Sequence, residues 1–126
     1  MTHAHPARAV LVVDDDRDLR ELVADIVEGS GRRVFTAKDG ADALSLIERD
    51  GIPRPCLVLL DWFMQPLGGH GFLERLAQRP DAADFRVLLL SASSDASPPD
   101  LPWKVLGVLR KPFGIEELLG ALDGHG

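Results

Sequence analysis

The chain has 126 residues, of which 45% are hydrophobic and 27% are charged, and its formal net charge is -6. This length and composition indicate one ordinary globular domain, and no run approaches the ~20 apolar residues that a membrane-spanning helix needs. Because Lys and Arg form no cluster longer than a pair, the negative net charge argues against a nucleic-acid-binding surface.

The N-terminal residues and the cysteine content indicate in which cellular compartment the protein is expected. Residues 1–8 show no hydrophobic periodicity, so we expect a flexible N-terminal tail followed by one domain over 9–126. No signal peptide is recognisable in the tail. The single cysteine, Cys56, cannot form an internal disulfide, which is typical of a reducing cytoplasm. We therefore expect a cytoplasmic protein that binds another protein or a small ion, with no membrane or nucleic-acid partner.

The first two predicted elements are a strand and a helix. The apolar run from Ala9 to Val13 is typical of a strand buried on both faces of a parallel sheet. The hydrophobic period then changes, because apolar residues recur at helical spacing at 19, 22, 23, 26 and 27. This pattern predicts an amphipathic helix that ends at Gly29 and Gly31. Asp16 is predicted to be the N-cap or a first-turn charge of that helix, and not a metal ligand.

The same alternation continues along the chain. It predicts strands at 33–37, 56–60, 86–90 and 105–109, and helices at 41–49, around 72–76 and from 115 to 122. Alternating strands and helices predict an α/β fold with an open, doubly wound, mostly parallel sheet covered on both faces. Between 91 and 103 the chain carries Pro98, Pro99 and Pro102, so a fourth helix there should be short, late or absent.

Polar residues follow four of the predicted strands. Asp14 and Asp15 follow the first strand and Asp61 follows the third, while Ser91 and Lys111 follow the fourth and fifth. Ligands of such sheets bind at the carboxyl ends of the strands, where these side chains should meet. Clustered carboxylates with room for water favour a hard cation such as Mg²⁺. Its charge would offset the repulsion among the aspartates.

Four stretches carry a family resemblance. They are "VLVVDDD" (10–16), "LVLLDWFM" (57–64), "LLLSAS" (88–93) and "VLRKPF" (108–113). In this order and at this spacing the chain resembles the receiver domain of two-component response regulators, particularly single-domain chemotaxis receivers, over 9–123. The resemblance implies a flavodoxin-like sheet of five parallel strands in the order 2-1-3-4-5 with about five helices. It also implies phosphorylation of one aspartate by a sensor histidine kinase or a histidine phosphotransfer protein.

The resemblance also implies roles for the acidic residues. Asp61 matches the phosphoacceptor, and Asp14 and Asp15 match the acidic pair that holds Mg²⁺. Asp15 would hold the metal more directly, and Asp14 through water. Asp61 and the backbone carbonyl of Phe63 match further metal ligands. Asp61 can attack a phosphoryl group as an oxygen nucleophile, a reaction that needs positioning and positive charge more than covalent chemistry.

The remaining site positions lie near the last two strands. By resemblance Ser91 is the switch hydroxyl, Lys111 pairs with the phosphoryl group, and the bond between Lys111 and Pro112 is cis. Two positions depart from the family pattern. Gln65 replaces the proline of the usual Met-Pro pair, and Val108 replaces the aromatic residue that often acts as a switch.

Three functions remain open from the sequence. The first is a stand-alone receiver that signals through protein contacts and is no enzyme beyond its own phosphorylation and dephosphorylation. The second is an interaction module that keeps the fold but works without phosphorylation, which the prolines and the missing aromatic residue favour. The third, a phosphatase of the haloacid dehalogenase kind, ranks last because Phe63 stands where that family needs a second aspartate.

Overall fold

The computed structural model describes residues 9–49, 51–62, 68–91 and 105–125. Five strands alternate with four α-helices in this part of the chain: β1 (Ala9–Val13), α1 (Arg17–Gly29), β2 (Arg33–Ala37), α2 (Gly40–Arg49), β3 (Cys56–Asp61), α3 (Gly69–Ala77), β4 (Phe85–Ser91), β5 (Gly107–Arg110) and α4 (Ile115–His125). The predicted N-terminal tail, Phe63 and the three prolines between 98 and 102 lie outside the described residues.

The five strands form one parallel sheet in the order β2-β1-β3-β4-β5, which confirms the predicted fold class. From β1 the chain first adds β2 on one side and then β3 on the other side. The strand order therefore reverses between β1 and β3, and the carboxyl ends of these two strands form the switch point where such sheets bind ligands.

The helices cover both faces of the sheet. On one face α2 and α3 pack against inward residues of the central strands, among them Leu11, Val58 and Leu89. On the other face α1 and α4 pack against the alternate residues, such as Val12 and Leu59. Burial on both faces explains the continuous apolar runs of β1 and β3. Within the described part of the chain, no helix is long and apolar enough to cross a membrane.

Helix α1 begins at the predicted residue, but fewer of its apolar side chains are buried than the sequence predicts. The backbone N–H of Leu19 donates to the Asp16 carboxylate over 3.2 Å, so Asp16 is the N-cap. The predicted apolar face includes Leu22, whose exposed fraction is 55%. Because each helical residue turns by about 100°, Leu22 lies to the side of the buried Val23 and Val27. The prediction that Leu22 belongs to the packed face of α1 was wrong.

The edge strands differ from the central strands. β2 matches its predicted bounds, and β5 (Gly107–Arg110) begins within the stretch 105–109 that was predicted to contain it and ends one residue later. Leu106 is 39% exposed and donates its backbone N–H to the carbonyl of Val87 over 2.8 Å. Each edge strand pairs with one neighbouring strand in the sheet, and both contain more half-buried or exposed residues than the central strands do.

Candidate functional site at the carboxyl edge of the sheet

Strand register brings the predicted site residues to one edge. Val13 of β1 pairs with Leu60 of β3, so Asp14 and Asp61 are the next residues on neighbouring strands. Ser91 ends β4 and pairs with the last residue of β5, which directly precedes Lys111. The backbone N–H of Lys111 then donates to the carbonyl of Ser91 over 2.8 Å. The edge predicted from the strand ends is therefore the edge at which these residues meet.

Three carboxylates converge at this edge. Asp14, Asp15 and Asp61 each offer a carboxylate oxygen within 4.8 Å of the other two, and Asp14 and Asp61 are buried while Asp15 is exposed. Like charges this close repel each other, so a cation between them would be stabilised. A set of oxygen donors with one exposed member is the chemistry that Mg²⁺ prefers, because the ion retains part of its water shell. The donor set therefore fits a magnesium ion.

Lys111 provides a positive charge to the carboxylates. Its Nζ lies 2.9 Å from Asp14 Oδ2 and 3.3 Å from Asp61 Oδ1. Partial burial lowers the pKa of Lys111, but the hydrogen bond to Asp14 and the charges of Asp14 and Asp61 outweigh it. The net result is a pKa above the ordinary lysine value, so the amine is held in its charged form. The bond between Lys111 and Pro112 is cis, as the sequence predicts.

Asp14 and Asp15 have different surroundings. The carboxylate of Asp14 accepts hydrogen bonds from Lys111 Nζ and from the backbone N–H of Asp16, each over 2.9 Å. The backbone N–H of Asp14 donates to the carbonyl of Ala37 over 3.1 Å. Asp15 is exposed, and no hydrogen bond of its carboxylate is found within the described ranges. Its oxygens are therefore the ones most available to a cation.

The sequence analysis did not identify Arg20 as a site residue. Its Nη1 donates to the backbone carbonyl of Asp14 over 2.9 Å. Arg20 lies four residues after the N-cap Asp16, and helical side chains lean toward the N-terminus. This spacing could have identified Arg20 from the sequence, because it directs an arginine in the first turns of α1 toward the end of β1.

The residue after Asp61 packs tightly on α3. The backbone N–H of Trp62 donates to the carbonyl of Leu90 over 3.0 Å, and the carbonyl of Trp62 accepts from the N–H of Gly69 over 3.2 Å. A Cβ atom on Gly69 would lie 2.6 Å from Trp62 Cε3. Glycine at the start of α3 therefore permits the close approach of Trp62 to this helix.

Ser91 and Val108 lie on the last two strands. Ser91 is 5% exposed at the end of β4. Val108 is half-buried and packs against the core on the α2 and α3 face. A valine cannot swing an aromatic ring between two positions. Any coupling between the aspartates and β5 must therefore use other side chains.

The sequence model of the response regulator receiver domain matches residues 10–123. This chain belongs to the response regulator receiver family. It is 37% identical over 120 residues to the response regulator MprA of Mycolicibacterium vanbaalenii, covering 90% of this chain and 48% of that protein. It is 27% identical over 134 residues to the phosphate regulon transcriptional regulatory protein PhoB of Escherichia coli, covering 90% of this chain and 57% of that protein. The receiver thus spans about half the length of these curated relatives.

Solved receiver structures resemble the whole described domain. A putative response regulator from Chloroflexus aurantiacus superposes with a TM-score of 0.80 at 26% identity, covering 95% of this chain and 97% of that one. The chemotaxis protein CheY4 of Vibrio cholerae gives a TM-score of 0.79 at 26% identity, covering 95% and 98% of the two chains. The chain is therefore a receiver domain of the two-component type.

Proposed function

We propose that this receiver accepts a phosphoryl group on Asp61 in a Mg²⁺-dependent transfer and signals through protein contacts. The donor would be the phosphohistidine of a sensor kinase or of a phosphotransfer protein. The observation that supports this most strongly is the meeting of three carboxylates within 4.8 Å with a lysine amine 3.3 Å from Asp61 Oδ1. An acidic turn with a purely structural role needs neither the convergence of the three carboxylates nor a half-buried lysine beside them.

Each residue has a defined part in the proposed transfer. An oxygen of Asp61 forms the new bond to phosphorus while the bond from phosphorus to the histidine nitrogen breaks, and the electron pair leaves with the nitrogen. Lys111 can move its hydrogen bonding from the carboxylates to the phosphoryl oxygens, where negative charge accumulates. Ser91 is proposed to donate its hydroxyl proton in a hydrogen bond to the product.

The acidic residues would hold the metal. We assign Asp15, Asp61 and the backbone carbonyl of Phe63 as direct ligands, with Asp14 acting through water because Lys111 and Asp16 already occupy its carboxylate. A bound Mg²⁺ would supply positive charge to the phosphoryl oxygens. The transfer modifies the receiver itself, so we do not propose turnover of a separate substrate.

The proposal extends to partners and location. A net charge of -6 supports a protein rather than a nucleic acid as the direct partner of this domain. The lone Cys56 supports a cytoplasmic location. We further propose that residues 9–126 form the receiver unit, that 1–8 act as a flexible tail, and that the receiver is able to signal alone.

Labelling with acetyl phosphate tests the proposal. We expect Mg²⁺ and acetyl phosphate to add one phosphoryl group to the wild type, as measured by intact mass, and to add none to Asp61→Asn. Asp25→Asn is the matched control, because it removes an exposed carboxylate from the middle of α1 and should label like the wild type. Label that persists in Asp61→Asn contradicts the assignment. A folded wild type that takes no label favours the phosphorylation-independent interaction module.

A further inference from the structure

The hydrogen bonding of Arg20 sets it apart from its neighbour on the same helix. Arg17 is exposed and pairs with Glu21 over 2.8 Å, which is an ordinary surface ion pair. Arg20 is half-buried and donates through Nη1 to the carbonyl of Asp14. No ion pair of Arg20 with a carboxylate is found among residues 9–49, 51–62, 68–91 and 105–125. Its half-buried guanidinium therefore donates to a backbone carbonyl beside three carboxylates.

That carbonyl belongs to the peptide group that joins Asp14 to Asp15. A hydrogen bond to it restrains the plane of this peptide, and the plane determines where the backbone of Asp15 begins. The carboxylate of Asp15 has no hydrogen bond of its own in the described structure, so its placement depends on the backbone. Arg20 is the side chain that holds this peptide from the α1 side.

We propose that Arg20 is a positioning residue that presents the Asp15 carboxylate to the divalent cation. This inference rests on the magnesium site of the proposed function. Groups that orient metal ligands without touching the metal commonly change metal affinity when they are removed. The guanidinium has a second effect of opposite sign, because a positive charge near the site repels a cation. Loss of Arg20 weakens Mg²⁺ binding if the positioning effect is the larger one, and it strengthens Mg²⁺ binding if the charge repulsion is the larger one.

The test measures Mg²⁺ affinity rather than activity. Urea unfolding at a series of Mg²⁺ concentrations yields the dissociation constant, because an ion that binds the native state alone raises the free energy of unfolding by mass action. The series compares Arg20→Met, which removes both charge and hydrogen bond, with Arg20→Lys, which keeps the charge and one donor. Arg17→Met is the matched control, since it removes a guanidinium from the same helix outside the site.

If Arg20 positions Asp15, Arg20→Met weakens Mg²⁺ binding by roughly ten-fold. Arg20→Lys recovers most of the affinity, and Arg17→Met leaves it unchanged. Equal or tighter binding by Arg20→Met overturns the proposal, and tighter binding assigns the residue an electrostatic effect instead. If Arg20→Met does not fold, equal Mg²⁺ affinity in Arg20→Gln and the wild type overturns it as well. A wild type that shows no Mg²⁺ response overturns the metal site itself, so the two failures are distinguishable.

Discussion

Replacing Asp15 by asparagine should make the metal-free receiver more stable and remove its response to Mg²⁺. The substitution removes one of three carboxylates whose oxygens lie within 4.8 Å of one another. It keeps the shape of the side chain, and it breaks no hydrogen bond within the described part of the chain. Repulsion with Asp14 and Asp61 is therefore the main interaction that changes.

The size of the effect follows from the separation. Two unit charges 4.8 Å apart repel by ~0.9 kcal/mol in bulk water and by ~3.5 kcal/mol at an effective dielectric constant of about 20. Asp15 is exposed, and Lys111 already offsets part of the negative charge. The repulsion energy of each pair is therefore close to the value for bulk water. We expect Asp15→Asn to raise the free energy of unfolding by about 1–2 kcal/mol without metal.

Magnesium should reduce or reverse the stability advantage of Asp15→Asn over the wild type. At a Mg²⁺ concentration of ten times the dissociation constant, binding to the native state adds about 1.4 kcal/mol to the wild type. Asp15→Asn should gain almost nothing, so the curves of stability against Mg²⁺ concentration converge or cross. Urea unfolding with and without Mg²⁺ measures both effects, and Asp25→Asn serves as the control with one carboxylate fewer outside the site. A metal-free Asp15→Asn that is less stable than the wild type, or that responds equally to Mg²⁺, would refute the reasoning.

Two substitutions test charges at the opposite end of the sheet. Asp81→Asn should lower the free energy of unfolding at neutral pH by about 1–3 kcal/mol, because Asp81 accepts hydrogen bonds from Arg79 over 2.8 and 3.0 Å and from Arg54 over 2.6 Å. The hydrogen bond from Arg79 is the main reason that the pKa of Asp81 is lowered, so this stabilisation is present above the ordinary aspartate value of 3.8 and is lost as the pH falls below it. A difference in urea unfolding that stays constant in acid would speak against this account. Arg86→Met should raise the free energy of unfolding by about 1–3 kcal/mol, because Nε and Nη2 of Arg86 are buried and have no hydrogen-bond partner among the residues that the structure describes; a clear loss of stability in the same measurement would contradict it.

Local sequence patterns were sufficient for most of the fold. The bounds of β1 and β2 match the prediction, and for β1 the reason is that a continuous apolar run is typical of a strand buried on both faces of a parallel sheet. The N-cap role of Asp16 also depends on neighbours in sequence alone. The position of the carboxylate cluster followed from the topology, since parallel strands end at one edge.

Other features depend on contacts between distant residues. The exposure of Leu22 is set by how α1 rotates against the sheet, which helical spacing alone leaves undetermined. The pairing of Arg54 with Asp81 joins residues 27 positions apart, and the bond between Arg54 and Pro55 is cis without a sequence signal that we recognised. The hydrogen bond from Arg20 to Asp14 likewise appears only when α1 is placed beside β1.

The most direct test of the central claim is to locate the phosphoryl group on the chain. After reaction with acetyl phosphate and Mg²⁺, borohydride reduces an aspartyl phosphate to homoserine, and peptide mass spectrometry then identifies the modified residue. The account predicts homoserine at position 61 alone, dependent on Mg²⁺ and on acetyl phosphate. Homoserine at position 14 or 15, or an unmodified residue 61 in protein whose intact mass shows the phosphoryl group, would contradict it.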